Sequence, residues 1–172
     1  MNTHVKFGDD DLEEMGVFKK GLRMQFLASL KELRSLKLIC CIVKGEGMKK
    51  SSMFSWKQAR KRVKVKWLEY EKITAAASGD AKKPYWNESM TFPPADLNEA
   101  IKGECVFELI NNTAIVASCS VPYDEIDKVN NARTAAGGEG ALGDGKPFPL
   151  INSKSGEVDG VIWIKLWLMQ DI

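Results

Sequence analysis

Nine lysines and arginines lie between Lys44 and Lys66 against the single acid Glu46, so the rest of a chain of net charge +2 sums to −6. The first part of that run interleaves Lys49, Lys50, Lys57, Arg60 and Lys61 with Met48, Met53, Phe54 and Trp56. Cations beside large apolar groups are the two components of peripheral membrane binding, charge attraction to anionic headgroups and apolar insertion. The second part, Arg62, Lys64 and Lys66, recurs at period two. In a strand this places the three cations on one face and Val63, Val65 and Trp67 on the other. The same residues fit a plainer reading, in which the aromatic rings fold back on the domain and the lysines form a solvated face opposite acids of a neighbouring strand. Nucleic acid is not expected, because a sequence pI near 8.3 and an otherwise acidic chain do not make a backbone-tracking groove.

Other chemistry finds little support. The only histidine is His4, near the start of the sequence, so Ser-His and Cys-His nucleophilic arrangements lack a positioned base. Cys40, Cys41, Cys105 and Cys119 have neither Cys-x-x-Cys spacing nor histidine partners, which argues against zinc. All four fall in apolar strand patterns and are expected to be reduced, with adjacent Cys40 and Cys41 on opposite sheet faces. The glycine-rich stretch Gly137 to Gly145 is not a phosphate loop, since Lys146 is followed by Pro147. No catalytic residue, metal or cofactor is expected, and the chain is read as no enzyme.

The elements that would position the basic run begin with a helix over residues 9–34. Leu12, Met15, Phe18, Leu22, Phe26, Leu30 and Leu33 draw one apolar stripe at helical spacing. That stripe could cover the rest of the domain, bind a protein partner, or lie on a membrane through neighbouring cations. From Leu36 onward the pattern is of strands: 36–43, 62–70, a short piece in 72–77, 86–92, 105–110, 114–121, 148–151 and 161–169. A helical turn is expected over 96–100, a surface helix over 123–135 and a loop over 136–145. Residues 1–34 are thus read as tail and helix, and 35–172 as one β-domain. No run approaches the ~18 apolar residues of a membrane span and the start has no apolar signal core, so a soluble, cytoplasmic protein is expected.

Lys83-Pro84-Tyr85-Trp86-Asn87-Glu88-Ser89-Met90-Thr91-Phe92 resembles the Asn-Pro-x-Trp-Asn-Glu-x-Phe-x-Phe segment of C2 domains. The order of strands around it, and the terminal Gly160-Val161-Ile162-Trp163-Ile164-Lys165-Leu166, extend the resemblance over residues 36–169. It implies an all-β, eight-stranded antiparallel sandwich, and since all eight strands follow the N-terminal helix, which lies outside the resemblance, the order is similar to the circularly permuted one of novel protein kinase C and phospholipase C domains. It also implies a calcium site built from aspartates of the first and third loops. Here the first loop has only Glu46, and the third shrinks to Asn111-Asn112-Thr113, so calcium binding is not expected. The implied function is a non-catalytic recognition module. It would dock on anionic phospholipids without calcium through Lys49, Lys50, Met53, Phe54, Trp56, Lys57, Arg60, Lys61, Arg62, Lys64 and Lys66, as a peripheral protein at most. The alternative is a protein-interaction or scaffold domain, with Phe18, Leu22, Phe26, Leu30 and Leu33 as a partner-binding stripe.

Overall fold

Alternation at period two builds most of the molecule. A computed structural model describes residues 8–16, 19–33, 35–48, 60–135, 143 and 145–170. Its strands are β1 (Ser35–Glu46), β2 (Lys61–Trp67), β3 (Tyr70–Ile73), β4 (Ser78–Asp80), β5 (Lys83–Thr91), β6 (Ala95–Asp96), β7 (Glu104–Asn111), β8 (Ala114–Pro122), β9 (Lys146–Asn152) and β10 (Val158–Gln170). The helices are α1 (Asp9–Glu14), α2 (Lys20–Leu33), α3 (Leu97–Ala100) and α4 (Tyr123–Ala135). Two strands beyond the expected eight are short additions, β4 pairing with the start of β5 and β6 with the start of β1.

All pairings are antiparallel and run in the order β3-β2-β7-β8-β9-β10-β1-β5-β4, with β6 beside β1. The path curls on itself. At the seam between its halves, β8 meets β9 only at Ala117–Asn152 and Ser118–Ile151. Val63, Val65, Trp67, Phe107 and Leu109 from one half share a core with Leu38, Ile42, Phe92, Ile162 and Ile164 from the other, which makes the curled sheet a sandwich. β2 follows the expected alternation, with Val63, Val65 and Trp67 fully buried. Cys40 joins this core while Cys41 joins a second cluster with Val43 and Trp167 on the opposite face of β1. Trp86 is less deeply set than its size suggested, half-buried against the core with its Nε1 donating to the Lys61 carbonyl at 3.2 Å.

The turns are tight. Asn112, at φ 58°, forms the short β7–β8 turn with Thr113, as asparagine's tolerance of the left-handed region allows. Gly160 sits at φ +86°, where a Cβ would lie 2.6 Å from the Glu46 carbonyl oxygen. Only glycine lets β10 pass that close to the end of β1.

The single helix expected over 9–34 is broken instead. Gly16, at φ 89°, stops α1 after one and a half turns, because a left-handed residue ends a helix. The chain then turns back so that Arg23 Nε of α2 meets Asp9 Oδ1 at 2.8 Å, with Glu13 Oε2 3.7 Å from Arg23 Nη2. α4 matches its expected span; Ile126 enters the core, and Asn130 Oδ1 accepts from the Leu168 backbone N–H at 3.3 Å.

Candidate functional site

The basic segment between β1 and β2 leaves and re-enters the described structure at one end of the sandwich. β1 ends there at Glu46, β2 starts there at Lys61, and the β7–β8 and β9–β10 turns close the same end, since Lys61 pairs with Asn111, Ala117 with Asn152 and Glu46 with Val161. The segment between β1 and β2 carries Lys49, Lys50, Met53, Phe54, Trp56 and Lys57, which lie outside the described residues. Around its two ends is a cavity of about 320 Å³. Met48, Leu109, Ile115 and Val116 supply its apolar wall, and Lys61, Asn111 and Asp159 its polar one.

Lys61 departs from its expected role as a surface cation. β2 points its side chain inward with those of Val63 and Val65, and the residue is 3% exposed. Its Nζ donates to the Ala81 carbonyl at 2.6 Å. Burial pushes the Lys61 ammonium pKa down, while Asp159 and Asp80 pull it back up. Asp159 is itself buried and accepts from Asn152 Nδ2 at 3.1 Å. The Oδ1 of Asn111 is buried without a hydrogen-bond partner. The end of the sandwich is therefore lined by a built-in ammonium and a carboxylate close enough to influence each other.

Arg62, Lys64 and Lys66 do share one outward face, and Arg60 and Arg62 are exposed. That face carries its own counter-charges. Glu108 of β7 holds Lys66 at 2.7 Å and Lys64 at 3.3 Å, Glu71 stands opposite Lys66 on β3, and Glu104 lies further along β7. Burial would push the Glu108 carboxyl up, but hydrogen bonds from Lys66 and Lys64 outweigh it and hold it below the usual carboxylate range. A depressed pKa in the folded state means stability that is present above the ordinary carboxylate pKa and lost as pH falls through the lowered one. Acid unfolding of the wild type should include this component, and Glu108→Gln should remove it. Identical acid limbs in the two proteins would show that the lysines do not hold the carboxylate.

The cysteines behave as small hydrophobes. Burial raises the Cys40 and Cys119 thiols to about 12 and Cys105 well above its usual value, which leaves them protonated and poorly nucleophilic at neutral pH.

Sequence reasoning passed over three side chains at this end. Ile115, Ile151 and Val158 are exposed, Val158 by 56%. The β9–β10 turn that presents two of them had a readable signal. Asn152 Oδ1 accepts from the backbone N–H groups of Lys154 and Ser155 at 2.9 and 3.0 Å, and Gly156 follows at φ 72°, an Asx turn closed by glycine. In the helical segment, Leu22 is 53% exposed and Met24 62%, with Phe26 also exposed. Phe18 lies outside the described residues, as do the side chains of Leu30 and Leu33.

No protein-family model matches the sequence, and no curated protein matches it. Solved structures are similar in fold. Extended synaptotagmin 2, with its SMP and C2 domains, aligns at TM-score 0.56 and 16% identity over 84% of this chain and 30% of that one. A C2 domain-containing protein from a putative elicitor-responsive gene gives 0.52 and 15%, over 76% of this chain and 86% of the other. A C2 domain of plant extended synaptotagmin 1 gives 0.53 and 18%, over 78% and 94%. The chain thus spans less than a third of the extended synaptotagmin 2 chain but most of the two smaller ones. At such identities the likeness is one of fold, and it agrees with the Trp86-Asn87-Glu88 segment and the curled antiparallel sheet: the chain has the fold of a C2 domain.

Proposed function

We propose that this chain is a non-catalytic recognition module that docks on anionic membrane surfaces without calcium, using the end of the sandwich from which the basic segment leaves β1. The observation that carries the reading is the exposure of Ile115, Ile151 and Val158 at that end, beside a segment rich in lysine and aromatic residues. Apolar side chains able to enter the headgroup region then stand at the end where that basic segment leaves β1 and enters β2 through the exposed Arg60. Among the described residues no helix is long and apolar enough to cross a membrane. The place of β10 between β9 and β1 supports the permuted strand order.

Calcium independence follows from the donor set. A calcium ion needs six to eight oxygens at short range. The first loop supplies Glu46, bound to Lys44 at 3.3 Å, and the β7–β8 turn supplies no carboxylate. The carboxylates of Asp159 and Asp80 already act on the chain's own ammonium at Lys61. One comparison structure, the pair of C2 domains of extended synaptotagmin 2, is calcium bound, and this chain is read as having given up that dependence. Co-sedimentation with phosphatidylserine vesicles should be equal in calcium and in chelator, and millimolar calcium should leave the melting temperature unchanged, since a ligand of the folded state raises it. A calcium-induced rise in melting temperature, or binding that requires calcium, would sink this reading.

A second reading has its own observation. Leu22, Met24 and Phe26 of α2 are exposed, and a helix that shows large apolar groups to water is a candidate for docking into a groove on a partner. On that reading the module is a scaffold domain, and truncation of residues 1–34 would abolish partner binding while leaving the sandwich folded.

A further inference from the structure

We propose that the free edge of β5 is a docking site for an extended, acid-bearing segment of a partner protein, which adds to the sheet as a further strand. This edge runs along the side of the sandwich, apart from the end on which the membrane reading rests, and its role is independent of that reading. β1 pairs with β5 on one side as far as Thr91. On the other side β4 pairs only with Lys83, Pro84 and Tyr85, and no other described strand neighbours β5. Asn87, at φ 48°, separates the part of the edge that β4 covers from the part it leaves open.

Parity in the β1–β5 ladder decides which groups are left over. The Phe92 N–H donates to the Leu38 carbonyl at 2.8 Å. Antiparallel pairs alternate between hydrogen-bonded and not, so Cys40–Met90 is bonded like Leu38–Phe92, and Ile39–Thr91 between them is not. The N–H and C=O groups of Ser89 and Thr91 therefore point away from β1, and both residues are exposed. Two donors and two acceptors of an extended backbone stand in one row toward solvent. Their natural complement is another extended backbone, which can exchange two pairs of hydrogen bonds with them.

The charge beside this row specifies the partner further. The open part of β5 faces β3 across a groove of about 490 Å³, lined by Lys72, Ile73, Glu88, Ser89, Met90 and Thr91. Lys72 holds its ammonium 5.9 Å from the centroid of the Phe92 ring and has no carboxylate partner among the described residues. The one acid in the lining, Glu88, accepts from the Ala75 backbone N–H at 2.8 Å. Met90 is buried, so the added residue opposite it turns inward, toward Lys72, while its two neighbours opposite Ser89 and Thr91 turn to solvent. An acid between two β-branched residues suits these three positions.

The test titrates the full chain, labelled with nitrogen-15, with the blocked peptide Thr-Val-Thr-Glu-Thr-Val-Thr. The amide signals of Ser89 and Thr91 should shift and their hydrogen exchange should slow. N-methylation of the two threonines that flank the glutamate removes the donors facing β5, and should weaken binding about tenfold or more. Exchanging the glutamate for lysine should cost about threefold, and Lys72→Glu should reverse that preference. Ser89→Pro removes one outward N–H from an edge, where proline is tolerated, and should weaken binding as N-methylation does. If Ser89→Pro fails to melt cooperatively, the N-methylated peptide on wild type decides alone. Binding that ignores N-methylation, or Ser89 and Thr91 signals that stay put at millimolar peptide, overturns the proposal. So does a wild type that sediments as a dimer while Ser89→Pro sediments as a monomer, since a second copy then occupies the edge.

Discussion

Replacing Phe107 with alanine lowers the stability of the domain by about 3–5 kcal/mol, the usual cost of removing a fully buried phenylalanine ring from a core. Phe107 sits mid-strand in β7, opposite Val65 on one side and Cys119 on the other, with no exposed surface. Its ring belongs to the cluster that both halves of the curled sheet share, so the cavity left behind would have to be closed by moving strands rather than side chains. Urea denaturation measures the loss directly. Phe107→Leu should recover more than half of it by refilling most of the volume. A loss under about 1 kcal/mol for the alanine variant would mean that the ring lies outside the core.

The second large effect separates two neighbouring cations. Lys61→Glu should destabilise by about 3–5 kcal/mol, since it removes the ammonium bound to the Ala81 carbonyl and buries a carboxylate near Asp159 and Asp80. Arg62→Glu, one residue on and exposed, should cost about 0.5 kcal/mol or less. Chemical denaturation of the two variants side by side tests the assignment. Equal effects would return Lys61 to the surface, where its residue type alone had put it.

That contrast illustrates how far the sequence could be read. Period two placed Val63, Val65 and Trp67 inside and Arg62, Lys64 and Lys66 outside, because burial must follow the pleat. Lys61 continues the inward series by the same alternation, yet a charged residue at the start of a strand reads as surface. Its partners, Ala81 and Asp159, are distant in sequence, and no local pattern announces them. The apolar stripe over 9–34 reads as one helix and does not announce the break at Gly16, since the Arg23–Asp9 pair that joins α2 to α1 is a tertiary contact. Glu108 likewise reads as an ordinary alternating strand residue. Only the β2–β7 register brings it to Lys64 and Lys66, and with it the neutralisation of the basic strand.

The longest pairing in the sheet joins β1 to β10, from Leu36–Gln170 to Glu46–Val161. This has a consequence for synthesis. Strand β1 is among the first described parts of the chain to be made, and its most extensive neighbour is the last strand to appear. Until β10 arrives, β1 must wait with Ile39, Cys41 and Val43 on one face and Leu38, Cys40 and Ile42 on the other unsheltered on that side. Closing so long a loop is slow because its entropy is spent before the contacts form. From the emergence of β1 until β10 follows it, a nascent chain therefore carries an adhesive strand, and escape from aggregation depends on how quickly β10 reaches it.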